Sequence, residues 1–513
     1  MLFNSFEYVF LFLPLVLVLV VVAGRIMPAA TVPILLAASA LFYAWWEPVY
    51  VPVLAGSILV NFILGRYVFA NRGVLAAGIV FNLVLLAYFK YSWFLLGHGL
   101  SSDASTPLLD PILPLAISFF TFQQIAYLVD CHRGSSPRTG FLSYALFVSF
   151  FPQLIAGPIV RAGQTLPQIT RLWTSSPRAR DIVIGLAIFM IGLGKKTILA
   201  DGIAPVASAV FGAAESGQPL GLFEAWVGAL SYTFQIYFDF SGYCDMAIGS
   251  ARMFGIRLPL NFYSPYKAGS IIEFWRRWHI TLSHFLRDYL YIPLGGSRRG
   301  PGRHYVNILL VMLLGGLWHG AGWTFVIWGG LHGIFIAANH AYREHLRAPL
   351  GLPDGFSAVA GWVLTILCVI FAWVAFRATS VDAAMVIWKS MIGLGDGLTV
   401  LPGRYVELLG SLAPRLSGVG VVFDGGVLRP LFDVPRTLVW LVGLGVIVLA
   451  MPNSADLVRR WRPAIGLVTF RDRSLFELGR VLPLSLYIAL LTAVFVGSLF
   501  AMRGYSEFLY FQF

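Results

Sequence analysis

The chain predicts an all-α, polytopic membrane protein of about twelve crossings, with re-entrant and interfacial helices between them. Three observations carry this. First, 58% of the 513 residues are hydrophobic and only 12% are charged, with a mean hydropathy of +0.78. A soluble domain averages about 25% charged residues, so this chain cannot cover itself in water. Second, apolar windows of about 20 residues recur, the length a helix needs to cross a bilayer. Third, the loops between the windows alternate in charge. A soluble enzyme and a disordered protein are thereby excluded. The net charge of +12 comes from 36 Lys and Arg against 24 Asp and Glu. These basic residues are spread over many short loops, as the positive-inside rule describes, which argues against nucleic acid as a partner and leaves membrane lipid as the surroundings.

The opening MLFNSFEYVF contains Glu7 and no Lys or Arg. It lacks the basic start of a cleaved signal peptide, so the first helix is expected to be retained. Spans follow near 8–24, 30–46, 50–64, 73–97 and 111–129. Arg25, then Arg66 with Arg72, then Arg133 with Arg138 fall on one side; Glu47, then Asp103 with Asp110, fall on the other. That alternation puts the N-terminus outside and the basic loops in the cytoplasm. Residues 141–160 have basic loops on both flanks and contain Pro152, Gly157 and Pro158, so they read as a re-entrant segment. Such backbone is tolerated at that depth only when buried in protein or lining a cavity, which points to an internal chamber. Further spans lie near 182–200, 222–250, 305–320, 321–340, 357–376, 437–451 and 481–501. Residues 395–435, rich in Gly and Pro, are placed as an external loop, and the tail 502–513 also emerges outside. The whole chain, 1–513, reads as one membrane domain. Cys131, Cys244 and Cys368 are scattered with no CxxC, and HExxH is absent, so neither a disulfide framework nor a catalytic metal is expected.

Residues 271–291, IIEFWRRWHITLSHFLRDYLY, place Trp275, Trp278, Leu282, Phe285, Leu286 and Tyr289 on one helical stripe spanning about 100° of arc. A helix of this kind lies along the membrane–cytosol boundary. On it His279 falls at the edge of the stripe, facing protein, and His284 falls opposite, facing water or headgroups. Arg276, Arg277 and Arg287 on the other faces suit either anionic lipid or the phosphates of a nucleotide-type donor such as coenzyme A.

The stretch LLVMLLGGLWHGAGWTFVIWGGLHG (309–333) sets His319 and His332 among glycines that let helices or substrate approach closely. Intramembrane ionisable groups are costly and default to functional sites; the plainer alternative is a packed or hydrogen-bonded histidine. A neutral imidazole can take a proton from a hydroxyl attacking an acyl carbon and return it to the leaving group. In YTFQIYFDFSGYCDM (232–246), Asp239 and Asp245 sit among aromatics, where either can orient a histidine or pair with Arg252. There is no G-x-S-x-G elbow, so a serine hydrolase is not supported.

These stretches, with PLAISFFTFQQIAYLVD (114–130), FFPQLIAGPIVR (150–161), NFYSPY (261–266) and FWRRWHITLSHFLRDYLYIPLGG (274–296), resemble the membrane-bound O-acyltransferase superfamily. The likeness is to its bacterial polysaccharide branch, which includes the membrane component of alginate O-acetylation, and it centres on 114–340. The resemblance implies acyl transfer; periodicity did not show it. It implies a ring of helices around a central chamber, with His319 of the WHG motif as the catalytic histidine and His279 of RWHITLS as a second functional one. His332, Asp239 and Asp245 then support them. It further implies a cytoplasmic thioester donor, acetyl-CoA or another acyl thioester, with no bound cofactor. It also implies periplasmic acetyltransferase partner proteins and a bacterial inner membrane, in which the charge alternation puts both termini on the periplasmic side.

In the tail SEFLYFQF (506–513), Tyr510 stands among Phe508, Phe511 and Phe513. It is a candidate acyl carrier entering the outer funnel; the alternative is an interfacial aromatic anchor. For the whole chain the alternative function is a secondary transporter or flippase, since buried His and Asp also mark proton relays.

Overall fold

The computed structural model describes residues 1–95, 113–155, 157–218, 220–346, 353–395, 397–400, 404–423, 434–467, 470, 483–502 and 509. It is built of helices, apart from a parallel pairing of Thr399–Val400 with Val421–Val422 and an isolated bridge between Pro259 and Ile465. The chain opens with α1 (Leu13–Ile26), α2 (Thr31–Ala44), α3 (Val51–Tyr67) and α4 (Arg72–Leu86). On α1, Leu13, Val16 and Val20 are buried while Leu15, Val18, Leu19 and Val22 are exposed. An apolar helix with an apolar exposed face is built to meet lipid. Polar groups turn inward instead. Asn61 on α3 and Asn82 on α4 exchange side-chain hydrogen bonds of 3.2 and 2.6 Å, and Gln124 Nε2 donates to Ser57 Oγ at 2.9 Å. Without water, such groups must be satisfied inside the protein.

Gln124 belongs to α5 (Ile117–His132), which leads into α6 (Phe141–Ser149). The segment 141–160 is a short helix, a break at Phe150, a single turn Phe151–Leu154 and then non-helical backbone over 157–160. Its described residues from 143 to 160 are all buried. The break leaves a helix carbonyl without its ladder partner, and both Gln123 and Gln153 Nε2 donate to Phe147 O, at 2.7 and 2.6 Å.

The centre is a helical hairpin. α7 (Ala179–Gly194) continues through a π-helical segment, Lys195–Ala200, into α8 (Asp201–Glu215), and α9 (Leu222–Met253) returns beside them. Every residue of α9 from Gln235 to Met253 is buried. The two strokes touch through glycine. A Cβ on Gly192 would lie 2.6 Å from the Gly242 carbonyl oxygen, and one on Gly249 would lie 2.6 Å from that of Gly185. Small residues let membrane helices approach this closely. The segment after residue 395 docks on the start of α9, where Leu222 N–H donates to Gly397 O at 3.1 Å and Phe223 N–H to Leu398 O at 2.9 Å.

The interfacial segment differs from the single helix expected over 271–291. It breaks into α10 (Ile271–Arg277) and α11 (Ile280–Leu286), because His279 adopts the left-handed conformation with φ 42° and ψ 54°. The non-helical segment 261–263 occupies the break: Tyr263 N–H donates to Arg277 O, and Ile280 N–H to Asn261 O, both at 2.9 Å. A helical projection across residue 278 therefore does not hold. Beyond it, α12 (Pro301–His319) and α13 (Trp323–Ala341) form a second hairpin turned by Gly320–Gly322, and α14 (Asp354–Arg377) packs against α13.

By length and composition, five described helices can cross a membrane: Glu7–Ile26, Pro48–Tyr67, Arg72–Tyr91, Ala179–Glu215 and Gly355–Arg377. Pro28–Ala44, Pro435–Ala450 and Ser485–Ala501 are shorter apolar helices.

Candidate active site

Two histidines from different elements meet in the interior. His319 ends α12 and His279 stands at the α10–α11 break; their rings are 6.3 Å apart, and they are 5% and 0% exposed. Trp318, Trp328 and Phe376 surround His319 at 4.9, 5.0 and 5.1 Å. Phe240 lies 4.9 Å from His279 and edge-on to it. This is a dry aromatic box around two groups able to exchange protons.

His279 is held by Asn261. Asn261 Oδ1 accepts from Thr281 N–H at 3.2 Å and from Thr281 Oγ1 at 2.9 Å, and contacts His279 Nδ1 at 3.2 Å. The Thr281 backbone donor identifies that Asn261 atom as oxygen, so the His279 proton sits on Nδ1 and Nε2 is the accepting nitrogen. Asn261 Nδ2 in turn reaches Cys244 Sγ at 3.3 Å. Asn261 opens NFYSPY, and nothing local in that stretch assigns it a role. A lone polar residue before an aromatic pair was the available signal.

His332 sits one layer back. Trp275 Nε1 donates to its Nδ1 at 3.3 Å, and Trp328 stands between it and His319, at 4.8 Å from the first ring and 5.0 Å from the second. The glycines around it work as close contacts: a Cβ on Gly316 would lie 2.2 Å from Phe325 O, and one on Gly329 2.3 Å from Met312 O.

The two aspartates take lysines. Lys195 Nζ pairs with Asp245 Oδ2 at 2.8 Å, and Lys196 Nζ with Asp239 Oδ1 at 2.6 Å and Asp201 Oδ1 at 2.8 Å. The pairing of Asp245 with Arg252 does not occur. Seven residues along one helix is a rise of about 10.5 Å, and Arg252 instead pairs with Asp181 at 2.5 Å. The Lys-Lys pair inside the apolar 182–200 span was the overlooked signal. Asp239 also receives the N–H of Leu509 at 3.2 Å, and Leu509 is buried. Tyr510 itself lies outside the described residues.

Of the three candidate donor-binding arginines, two face a groove and one does not. A groove of about 720 Å³ runs between the interfacial helices, the first part of α12 and the second half of α13. Arg276, Arg287, His304 and His340 are among its lining residues, together with apolar Trp275 and Met312. Trp275 touches His332 and, at 5.8 Å, Trp328, whose other neighbour is His319, so two aromatic rings stand between the groove and the histidine pair. Arg277 is turned away, paired with Glu273 at 2.8 Å and set over the Tyr263 ring at 5.9 Å. Asp288 binds Arg287 at 2.6 Å and also pairs with Arg161, which ties the groove wall to the end of the 141–160 segment. Burial alone would raise the Asp288 carboxyl; the hydrogen bonds and charges of Arg287 and Arg161 outweigh it and hold it below the usual carboxylate range.

The described chain is thus a helical, membrane-type protein with a buried histidine pair in its interior. The chain belongs to the membrane-bound O-acyltransferase family, whose profile matches residues 134–381. It is similar to the peptidoglycan O-acetyltransferase of Helicobacter pylori, at 44% identity over 493 residues covering 89% of this chain and 90% of that one. It is similar to the probable alginate O-acetylase AlgI of Pseudomonas putida, at 37% identity over 532 residues and 100% of both chains. A more distant likeness, 26% identity over 60% of this chain and 78% of the other, is to the teichoic acid D-alanyltransferase of Bacillus subtilis. The protein is thus an O-acyltransferase embedded in a membrane, and the transporter alternative loses its ground.

Proposed function

We propose that this enzyme moves a small acyl group, acetyl above all, from a cytoplasmic thioester to the O-acetylation of a polysaccharide outside the cell membrane. The observation that carries this is the His279–His319 pair, 6.3 Å apart and buried, with a groove lined by Arg276 and Arg287 ending at Trp275, two aromatic rings from His319. Arg276 and Arg287 supply charge for the phosphates of a donor such as acetyl-CoA, while Trp275 and Met312 suit its thioester arm. At the pair, a hydroxyl oxygen attacks the thioester carbonyl, the C–O bond forms and the C–S bond breaks. Between them the two imidazoles accept the hydroxyl proton and return it to the departing thiolate. The Asn261 contact leaves His279 accepting at Nε2, the state a general base needs. The relatives act on peptidoglycan and alginate by name, and either polymer class is a fitting acceptor.

The charge alternation supports a bacterial inner-membrane setting with both termini periplasmic, where periplasmic acetyltransferase partners complete the delivery. Tyr510 fits the part of an ester carrier on that side: its neighbour Leu509 is anchored on the buried Asp239. The central test is turnover of labelled acetyl-CoA by the purified protein in proteoliposomes. His319→Ala is expected to lower it by a factor of about 10²–10⁴, the usual contribution of a general acid–base. Turnover equal to wild type would sink the reading.

A further inference from the structure

Lys90 and Tyr91 belong to no part of the site described so far. They lie in a π-helical turn, Ala87–Tyr91, which closes the candidate membrane span Arg72–Tyr91. Such turns inside helices are frequent at functional sites. A half-buried ammonium is costly to desolvate and needs an account.

That account is at the end of α12. The last carbonyls of any helix have no partner within it. Here the chain leaves helical geometry immediately after His319, since Gly320 is extended with φ −158° and ψ 150°. Three of the exposed carbonyls are met from the π turn. Tyr91 Oη donates to Leu317 O at 2.8 Å, and Lys90 Nζ donates to Trp318 O at 2.6 Å and to His319 O at 3.0 Å. Lys90 Nζ also reaches Ser118 Oγ at 3.3 Å, which occupies all three ammonium protons. A cation at a helix C-terminus is favoured by the helix dipole as well. Trp318 is held in the same place by its ring, stacked on Phe122 at 5.1 Å, and by its Nε1, which donates to Ser118 O at 3.4 Å.

We infer that Lys90, assisted by Tyr91, is a positioning residue for His319: it fixes the backbone of the terminal turn so that the imidazole stays against His279. This rests on the acyl-transfer role of His319 proposed above. Displacing a reacting group by about 1 Å can cost a factor of about 10² in rate, so a bond to the main chain of His319 has kinetic weight.

The test is acetyl-CoA turnover of Lys90→Met, which keeps most of the stem and deletes the donors. The expected result is a fall of about tenfold or more in kcat with KM for acetyl-CoA unchanged. Lys90→Arg, which keeps a cation and donors, should recover part of it. In a His319→Ala background, Lys90→Met should change nothing further. An unchanged kcat, a loss carried by KM, or a further fall in the His319→Ala background overturns the inference. If Lys90→Met does not accumulate as folded protein, Tyr91→Phe decides: a lowered kcat at constant KM supports the inference and a wild-type kcat overturns it. Wild-type turnover by His319→Ala alone would instead remove the functional reading beneath it.

Discussion

His279 occupies left-handed backbone, with φ 42° and ψ 54°, a conformation that costs a non-glycine residue about 1–3 kcal/mol. It persists because Asn261 over-determines it, through its main-chain carbonyl to Ile280 and its side-chain oxygen to His279 and Thr281. Asn261→Leu keeps similar bulk but removes the acceptor, stranding the Thr281 N–H and the His279 Nδ1–H in a dry interior. A loss of about 2–3 kcal/mol of stability is expected, because a buried donor left unpaired forfeits its full desolvation penalty. Turnover should fall with it, and melting in detergent beside the acetyl-CoA assay measures both. His279 and His319 were legible as residues, since histidines in apolar segments stand out. Their partners were not: Asn261 is 18 residues from His279, and nothing local in an amide side chain announces a bond across that separation.

At the scale of elements, the α12–α13 hairpin shows what its glycines are for. Gly316 and Gly329 lie where the helices cross, and a Cβ on either would meet backbone oxygen at 2.2 or 2.3 Å. Backbone cannot rotate aside as a side chain can. Gly329→Ala is therefore expected to force the helices apart, lower the melting temperature and disturb His319, at the roughly 1–3 kcal/mol typical of overpacking. Gly330→Ala, whose nearest neighbour is a leucine methyl at 3.6 Å, should behave as wild type. Thermal unfolding of the pair in one detergent distinguishes them. The sequence announced close approach here; it did not say which glycines face the partner helix. The interfacial segment taught the opposite lesson. Its apolar stripe was evident, yet the helix breaks inside the stripe, because the competing hydrogen bonds come from residues 261–263, outside any local window.

Across the whole molecule, the groove and Leu509 meet the interior at different elements. The groove is built by the interfacial helices and the α12–α13 hairpin, and the tail reaches Asp239 on α9 through Leu509. If donor and acceptor sides are separate in this way, the two half-reactions should be separable. Tyr510→Phe is expected to leave donor binding intact while abolishing acetylation of the polymer in cells, read by acetyl content of the isolated polysaccharide. Undiminished acetylation would return Tyr510 to the part of an interfacial anchor.

The sequence by itself determined that the chain lives in a membrane and that it is helical, and it singled out the histidines of its apolar segments. Composition and charge order suffice for that, because the bilayer penalises charge wherever it is not needed. It did not determine which residues those histidines lean on. Asn261 under His279, Lys90 under the last turn of α12, and Lys195 and Lys196 against Asp245 and Asp239 are long-range contacts or side effects of a π turn. Only tertiary structure decides these, because in a dry interior each polar group must find a partner wherever the fold brings one within about 3 Å.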